Sequence, residues 1–366
     1  MSLNIGIIGL PNVGKSTTFN ALTASQNAEV ASYPFCTIEP NRAVVPVPDD
    51  RLTSIGQTAE RDRIIHATIE YVDIAGLVEG ASRGEGLGNQ FLAQIRDVDA
   101  VLHVVRCFQD QDVAHVSGDL DPQADISTIQ TELALADLEQ LERKIERLEG
   151  EVKGNSELRP KLELAQKLRA HLDQGNPVST FETPDSPAMK ELDRDLRFLS
   201  NKPVIFVANV DEAGLGEDVE CVKRIREKAI ALESPVIKLC AELESGLFDL
   251  VEADRREMLG LAGLEESGLN RVIRSSYELL GLISFFTMNE EEVRAWTITQ
   301  GTRAPQAAGK VHSDFEKGFI KAEVVSAETF LEYGSLAAVR NAGELRIEGK
   351  DYVVQDGDLI YFRSSL

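Results

Sequence analysis

The sequence predicts an α/β fold in three parts: a P-loop domain with a mostly parallel sheet, an α-helical coiled-coil hairpin inserted into it, and a C-terminal β-grasp domain. A phosphate-loop motif near the start of the chain predicts the first part. Leucine stripes at helical spacing predict the second part, and short strands separated by turns predict the third. We assign residues 1–120 and 201–280 to the P-loop domain, 121–200 to the hairpin and 281–366 to the β-grasp domain.

The phosphate loop has a predicted strand before it and a predicted helix after it. The run LNIGIIG is β-branched and apolar, GLPNVGKS matches G-x-x-x-x-G-K-[ST], and TTFNALT has helical spacing. In such a loop the backbone N–H groups curl around phosphates, the lysine reaches the terminal oxygens, and the hydroxyl suits Mg²⁺. The nucleotide-binding residues predicted here are Asn12, Val13, Gly14, Lys15, Ser16 and Thr17.

Two further segments stand where a phosphate-sensing switch needs them. YPFCTIEPN places Thr37 in a proline-punctuated loop, and the strand IEYVD ends in Asp73-x-x-Gly76. The Thr37 hydroxyl can bind Mg²⁺, Asp73 can hold a metal-bound water, and the Gly76 N–H can sense the γ-phosphate. Ser16, Thr37 and Asp73 are therefore the predicted metal-binding residues, and Lys15 and Gly76 are predicted to take part in catalysis.

The residue after Gly76 is Leu77, whereas many P-loop GTPases place a glutamine there to orient the attacking water. Hydrolysis must therefore be slow or use another group. His115 lies in a polar loop that follows the strand AVLHVVRCF, so it can move in to position water; an ordinary loop histidine is the alternative. Asn12 either helps to coordinate a monovalent cation such as K⁺ or caps the turn. His103, inside the strand, is predicted to belong to the core.

The segment VANVDE stands where a guanine-reading protein carries Asn-Lys-x-Asp. Here Val210 replaces the lysine and Glu212 replaces the aspartate, one methylene longer. A carboxylate with a different reach no longer pairs with the two guanine N–H donors, and this removes the penalty against the wrong base. Adenine lacks such paired donors, but it can use backbone N–H and C=O groups together with Asn209, so we predict an adenine site here. A shifted register would instead pair Asp211 with guanine, but the spacing from Asn209 argues against it.

Nearly a hundred residues separate VVRCF from KPVIFVANV, and most of them read as helix. The first stripe has the alternating spacing of a coiled-coil seam and consists of Leu138, Leu141, Ile145, Leu148 and Val152. After the turn KGNSE, a second stripe runs back through Leu158, Leu162, Ala165 and Leu172. The two stripes predict an antiparallel hairpin whose exposed tip lies near Lys153, Asn155 and Arg159.

Composition limits the class of protein. The chain has 366 residues and a net charge of −23, which argues against wrapping by nucleic acid without excluding docking on a ribonucleoprotein. No run approaches the roughly 18 apolar residues of a membrane span. The first residues have the pattern of a strand and a phosphate loop, so we do not expect them to act as a signal peptide. Four cysteines without a CxxC pair predict reduced cytosolic thiols and no zinc site: Cys36, Cys107, Cys221 and Cys240. A cytoplasmic protein without a membrane partner is expected.

The motifs GLPNVGKST, PFCTIEPN, DIAGL, GEGLGN and NVDE, with DFEKGFIKAEV and GKDYVVQDGD near the end, resemble the YchF family of Obg-like ATPases. That family falls within the TRAFAC-class P-loop GTPases. The resemblance covers the whole chain. It implies an Obg-type G domain that prefers ATP to GTP and lacks the catalytic glutamine, a helical arm, a C-terminal TGS domain, and association with ribosomes. It also implies that the backbone around Val210 contacts the adenine.

Together, the motifs and the resemblance predict one function for the chain and leave two alternative functions open. The chain is expected to be a monomeric, ribosome-associated ATPase that hydrolyses ATP slowly with Mg²⁺ and acts as a nucleotide switch in translation or stress regulation. The large subunit or whole ribosome is the expected partner, with rRNA contacted through the TGS domain or the arm. The last domain carries basic residues that either form an RNA-facing patch or, because they alternate with acids, belong to a solvated surface: Arg303, Lys310, Lys317, Lys321, Arg340 and Arg346. The rival functions are an Obg- or Era-like GTPase with relaxed base specificity and a non-catalytic adenine-nucleotide sensor.

Overall fold

The computed structural model describes residues 3–29, 41–75, 86–109, 120–182, 186–247 and 250–365. Within these ranges the chain divides into two compact units. The first unit is drawn from Met1–Leu22, Pro40–Arg42 and Tyr71–Leu269. The second unit is drawn from Thr23–Glu39, Ala43–Glu70 and Asn270–Leu366.

The strands form two sheets. In chain order they are β1 Asn4–Ile8, β2 Arg42–Pro46, β3 Arg63–Ile65, β4 Thr68–Asp73, β5 Ala100–Arg106, β6 Val204–Asn209, β7 Val236–Leu239, β8 Leu282–Met288, β9 Glu292–Thr299, β10 Phe319–Ser326, β11 Arg346–Glu348 and β12 Asp358–Ser364. The first sheet has the order β2-β4-β1-β5-β6-β7, and the second has the order β11-β10-β12-β8-β9-β3.

The helices lie between these strands. In chain order they are α1 Lys15–Glu29, α2 Asp50–Thr58, α3 Gly86–Asp97, α4 Pro122–Glu151, α5 Arg159–Asp173, α6 Pro187–Leu196, α7 Glu220–Ile230, α8 Ala241–Leu247, α9 Glu252–Leu261, α10 Gly268–Leu279, α11 Ala304–Val311, α12 Ser313–Lys317, α13 Ala327–Tyr333 and α14 Leu336–Ala342. Within the described ranges they are all too short or too polar to traverse a bilayer.

The first sheet provides the edge on which the phosphate loop lies. The β1–β5, β5–β6 and β6–β7 pairs are parallel. β5 is buried along its whole length, which explains its nearly continuous apolar run, since helices cover both faces of such a sheet. Parallel strands bring their carboxyl ends to one edge, so the chain leaves the sheet there at Ile8, Arg106 and Asn209. This edge is where open α/β sheets bind ligands.

The predicted helical hairpin is present in the first unit. α4 and α5 pack through the predicted stripes: Leu141, Ile145 and Leu148 are buried on α4, and Ala165 and Leu172 are buried on α5. α6 and the residues that follow it close the same core. Asp121 caps the start of α4 by accepting hydrogen bonds from the backbone of the first turn.

The amino-terminal half of α4 belongs to the core around the sheet and not to the hairpin. Ile129 and Leu133 pack with α3 and β5, and Ile126 packs with β6 and α7. A buried carboxylate holds the return of the chain, since Asp137 accepts hydrogen bonds from the N–H groups of Leu199 and Ser200, each at 2.8 Å. The start of α4 and the chain that returns at Leu199 and Ser200 therefore both fix the hairpin to the domain that contains the first sheet.

The second unit contains the mixed sheet of the C-terminal region. β8 and β9 form an antiparallel hairpin, α11 follows it, and β12 returns parallel to β8 with β10 antiparallel beside it. Phe285, Ala307, Val324 and Ile360 form part of its buried core. A hairpin, a helix and a parallel return strand beside the first one make the β-grasp arrangement predicted from the sequence.

Residues 43–70 group with this second unit. β3 adds a parallel strand to the edge of the sheet beside β9. Arg51 of α2 bonds Asp356 at 2.7 Å and lies over the ring of Phe286. Gly56 packs so closely on Ile64 that an added Cβ would lie 2.7 Å from its side chain. The predicted division into domains at 1–120 with 201–280, 121–200 and 281–366 differs in kind from these two compact units and stays a prediction.

The prediction of reduced thiols is wrong for two of the four cysteines. Cys107 and Cys221 form a disulfide across 114 residues of sequence, and Cys240 is a buried free cysteine. Cys107 directly follows β5 and Cys221 lies in the first turn of α7. The pairing is set by the packing of α7 against the sheet, so the sequence spacing of the cysteines carries no signal for it.

Candidate nucleotide-binding site

The phosphate loop joins β1 to α1 at the carboxyl edge of the first sheet. Asn12 and Gly14 have positive φ values of 64° and 91°, which turns successive N–H groups inward. A Cβ on Gly14 would lie 2.1 Å from the Asn209 amide nitrogen, so glycine is required there by both conformation and space. The Thr18 hydroxyl bonds the Gly14 carbonyl at 3.0 Å and holds the loop on its helix.

Lys15 and Asp73 meet at this loop. The Lys15 ammonium forms an ion pair with the Asp73 carboxylate, and both side chains are largely shielded from solvent. Lys15 begins α1, whereas Asp73 ends β4, so the pair joins the phosphate-loop lysine to the acidic residue of the predicted switch. Two residues predicted from separate motifs are thus brought into direct contact.

Ser16 and Thr17 lie in the first turn of α1 with exposed side chains. The loop before them is a cradle of backbone N–H groups at a helix amino terminus, which suits phosphate oxygens. A hydroxyl and one carboxylate are also what Mg²⁺ needs from a protein that binds it together with phosphates. Within the described ranges, no cluster of three or more His, Cys, Asp or Glu residues could hold a metal by itself.

Asn209 joins the phosphate loop to the loop after β7. Its amide nitrogen donates to the Val13 carbonyl at 2.9 Å, and its amide oxygen accepts from the Ala241 N–H at 3.0 Å. The side chain is 4% exposed, so both groups would be costly to leave without partners. Asn209 therefore links the phosphate loop to the loop after β7. Its contact with adenine stays a prediction.

The residues after Asn209 have distinct roles. Val210 is buried, and its N–H donates to the Leu239 carbonyl at 2.9 Å. Asp211 caps a short 3₁₀ turn by accepting from the Gly214 N–H at 2.9 Å. Glu212 is exposed. The Asp211 carboxylate is engaged in its own turn, which argues against the shifted register in which it would read guanine.

Arg106 is a site residue that the sequence analysis missed. It ends β5 and is 3% exposed. Its Nη1 donates to the Asn12 carbonyl at 3.5 Å, its Nε donates to the Phe108 carbonyl at 3.1 Å, and the guanidinium stacks 4.5 Å from the Phe108 ring centroid. An arginine at the end of an otherwise apolar strand was the available signal.

The structure brings together the predicted residues of the phosphate loop, Asp73 and Asn209. Thr37, Gly76 and His115 lie outside the described residues, as does Leu77. The prediction that His103 belongs to the core is confirmed. Its ring is 3% exposed and packs on Phe206, and burial lowers the pKa of the imidazole to about 3.

Two protein-family profiles match the chain. Residues 4–145 match the family described as "50S ribosome-binding GTPase". Residues 282–365 match a family of YchF-type GTPase C-terminal regions, described as "Protein of unknown function (DUF933)".

Similar proteins match over nearly the full length. A Haemophilus influenzae protein named Ribosome-binding ATPase YchF is 48% identical over 364 residues, with 99% of each chain covered. A Bacillus subtilis protein of the same name is 46% identical over 366 residues, again with 99% of each chain covered. The solved structure of the Schizosaccharomyces pombe YchF GTPase has a TM-score of 0.88 and 35% identity, covering 99% of this chain and 98% of that one. Identity at this level runs through both units, so the chain belongs to the YchF family of P-loop proteins.

Proposed function

We propose that this chain is an ATPase that binds ATP together with Mg²⁺ and carries out its cycle on the ribosome. The observation that carries the proposal is the loop after β6. Asn209, at the end of β6, holds the phosphate loop, whereas in the loop Asp211 is engaged in its own turn and Glu212 replaces the aspartate that would read guanine. The name Ribosome-binding ATPase, given to relatives 46–48% identical over the full length, supports it.

The proposed roles follow from position in the phosphate site. Lys15 would bind the β- and γ-phosphates, and the backbone from Asn12 to Thr17 would cradle them. Ser16 and Thr37 would hold the metal directly, and Asp73 would hold it through water. Mg²⁺, when bound, neutralises charge on the phosphate oxygens. Nucleotide binding must separate the Lys15 ammonium from Asp73, which frees both groups for these roles.

Slow hydrolysis follows from the side chain after Gly76. Leu77 cannot orient water, so another group is needed, and we propose His115. The support is its place in the chain, in the segment that follows β5, seven residues after Phe108. Gly76 would sense the γ-phosphate through its N–H. Asn12 would contribute to a K⁺ site if turnover depends on that ion.

The partners are proposed from the same family relation. Ribosome binding is stated in the names of the relatives, and a cytoplasmic location follows from it. Contact with the large subunit or the whole ribosome would involve rRNA, through the C-terminal β-grasp unit or the tip of the hairpin near Lys153 and Arg159. We propose a monomer that acts as a nucleotide switch in translation or stress regulation.

Base preference is the sharpest test of the nucleotide. In competition against a fluorescent ATP analogue, ATP should displace the analogue at concentrations at least roughly tenfold below those of GTP. The variant Glu212→Asp should raise GTP affinity by about tenfold or more, because it restores the carboxylate reach that pairs with guanine. Glu217→Asp, an exposed acid nearby, is the matched control and should change nothing. Tighter GTP than ATP binding in the parent chain would overturn the proposal.

Two rival functions have specific support. The S. pombe relative and the matched family of residues 4–145 are named as GTPases, which supports a GTPase with relaxed base specificity. Leu77 supports a sensor that binds ATP without useful turnover. Phosphate release measured with and without ribosomes separates the sensor from the enzyme. Stimulation by ribosomes supports the ATPase, whereas negligible turnover in both conditions supports the sensor.

A further inference from the structure

A cavity lies in the β-grasp unit, and none of the residues that line it belongs to the phosphate loop. Its volume is about 520 Å³, and it lies among the end of α2, the end of β8, the α13–α14 turn and β12. Met288, Phe330 and Leu336 supply an apolar wall. A pocket of this size, mostly apolar with a few polar groups, has the character of a small-molecule site.

One hydrogen-bond donor that lines the cavity is the Tyr361 hydroxyl. Tyr361 is half-buried on β12, and in the part of the chain that the structure describes its hydroxyl has no hydrogen-bond partner. Burial raises the pKa of this phenol to about 12, so it keeps its proton at neutral pH and can donate. The hydroxyl is open to solvent and is not among the buried polar atoms that lack a partner, so a ligand in the cavity can reach it.

The second donor is Arg61. Its Nε donates to the Asn289 carbonyl and its Nη1 donates to the Ala59 carbonyl, both at 2.7 Å. These two bonds fix the plane of the guanidinium, while Nη2 has no partner among the described residues. The positive charges of Arg61 and Arg340 both act on the Tyr361 hydroxyl. The cavity therefore presents two hydrogen-bond donors, the Tyr361 hydroxyl and the positively charged Arg61 guanidinium, which together suit an anionic acceptor.

We propose that this cavity binds a small monocarboxylic acid with an aromatic or branched apolar body. The body would lie on Met288 and Leu336, which are partly exposed, and the carboxylate would accept from Tyr361 and Arg61. Glu60 and Glu290 stand on the rim with exposed side chains, where water screens their charge. Arg61 is the only cationic residue among the described residues that line the cavity, so its charge balances one carboxylate, which is why we specify a single negative charge.

Indole-3-acetate is a suitable probe, and indole-3-acetamide is its neutral counterpart. Titrated calorimetrically into the full chain, the acid should bind in the sub-millimolar range expected of so small a ligand and at least about tenfold tighter than the amide. Tyr361→Phe should weaken the acid by about tenfold, because it removes a hydrogen bond to a charged group. Leu336→Trp, which fills the cavity, should abolish binding of both compounds.

Tyr333→Phe makes the same chemical change on α13 at a tyrosine that does not line the cavity, and it should leave binding unchanged. Lys15→Ala should also bind the probe as the parent does, because the proposed site is separate from the phosphate loop. Equal affinity for the acid and the amide would contradict recognition of a carboxylate. Unchanged affinity in both Tyr361→Phe and Leu336→Trp would contradict binding in this cavity. Loss of binding in Lys15→Ala would assign the probe to the phosphate loop. Unchanged melting of each variant shows that folding is intact.

Discussion

At the scale of single residues, the nucleotide site is organised by side chains that bond to backbone carbonyls. Asn209 and Arg106 both reach the phosphate loop, through the carbonyls of Val13 and Asn12 respectively. Both come from strand ends in the centre of the first sheet, where the parallel pairing of β5 and β6 brings them side by side. The shape of the loop thus depends on residues about a hundred and two hundred positions away in sequence.

Arg106 is expected to position the phosphate loop together with the chain that continues towards His115. Arg106→Lys keeps the charge but loses the planar fork that bonds two carbonyls and stacks on Phe108. Because a small misplacement of catalytic groups is costly, kcat for ATP should fall by roughly 10- to 100-fold, whereas KM should change less. Steady-state phosphate release measures both constants.

Arg226→Lys is the control for this variant, since Arg226 is an exposed residue paired with Asp218 and lies outside the site. It should keep the kcat and KM of the parent. An Arg106→Lys protein with unchanged kcat would remove Arg106 from the list of positioning residues.

At the scale of elements, the helices and strands that could be predicted are those with a local sequence pattern. Apolar period and the glycine motif, which are properties of neighbouring residues, predicted the phosphate loop, β1, β5 and the two helices of the hairpin. Leu141, Ile145 and Leu148 are buried as their spacing predicts. The site residues of the loop could be predicted for the same reason, because one short motif contains them.

What the sequence could not predict depends on contacts between distant segments. β3 is three residues long, too short for a period, and its place beside β9 joins positions more than two hundred apart. Arg106 reads as the last residue of a strand until the fold brings Asn12 to it. The pairing of Cys107 with Cys221 likewise needs α7 to pack beside the end of β5. Each of these is a consequence of tertiary packing.

The disulfide is a testable link between two elements. Non-reducing digestion and mass spectrometry should give a peptide that joins Cys107 to Cys221 and that disappears on reduction. A link closing a loop of this length stabilises the folded state by up to about 4–5 kcal/mol, so reduction should lower the melting temperature. Cys240→Ala should keep the joined peptide. The pairing would be contradicted if unreduced protein gave no joined peptide and if Cys107 and Cys221 could both be alkylated after denaturation.

At the scale of the whole molecule, the two units are interleaved along the chain. The segment 43–70 belongs to the second unit but is preceded and followed by residues of the first. Neither unit can therefore be completed by one continuous stretch of sequence. Leu52 and Ile55 of α2 are fully buried, so the second unit depends for part of its core on residues far from its C-terminal portion.

This interleaving predicts that the C-terminal region is unstable by itself. A fragment of residues 281–366 should melt at low temperature or aggregate, because it lacks α2 and leaves the edge of β9 unpaired where β3 belongs. Residues 47–67 can be added back as a closed segment, since the Val47 N–H bonds the Ala67 carbonyl at 2.8 Å. Joined by a flexible linker to residues 270–366, they should give one cooperative thermal transition, measured by circular dichroism. The same fusion carrying Leu52→Ala should lose about 2–5 kcal/mol of unfolding free energy. Equal melting of the 281–366 fragment and the fusion would mean that the segment is dispensable and that the second unit folds from the C-terminal region alone.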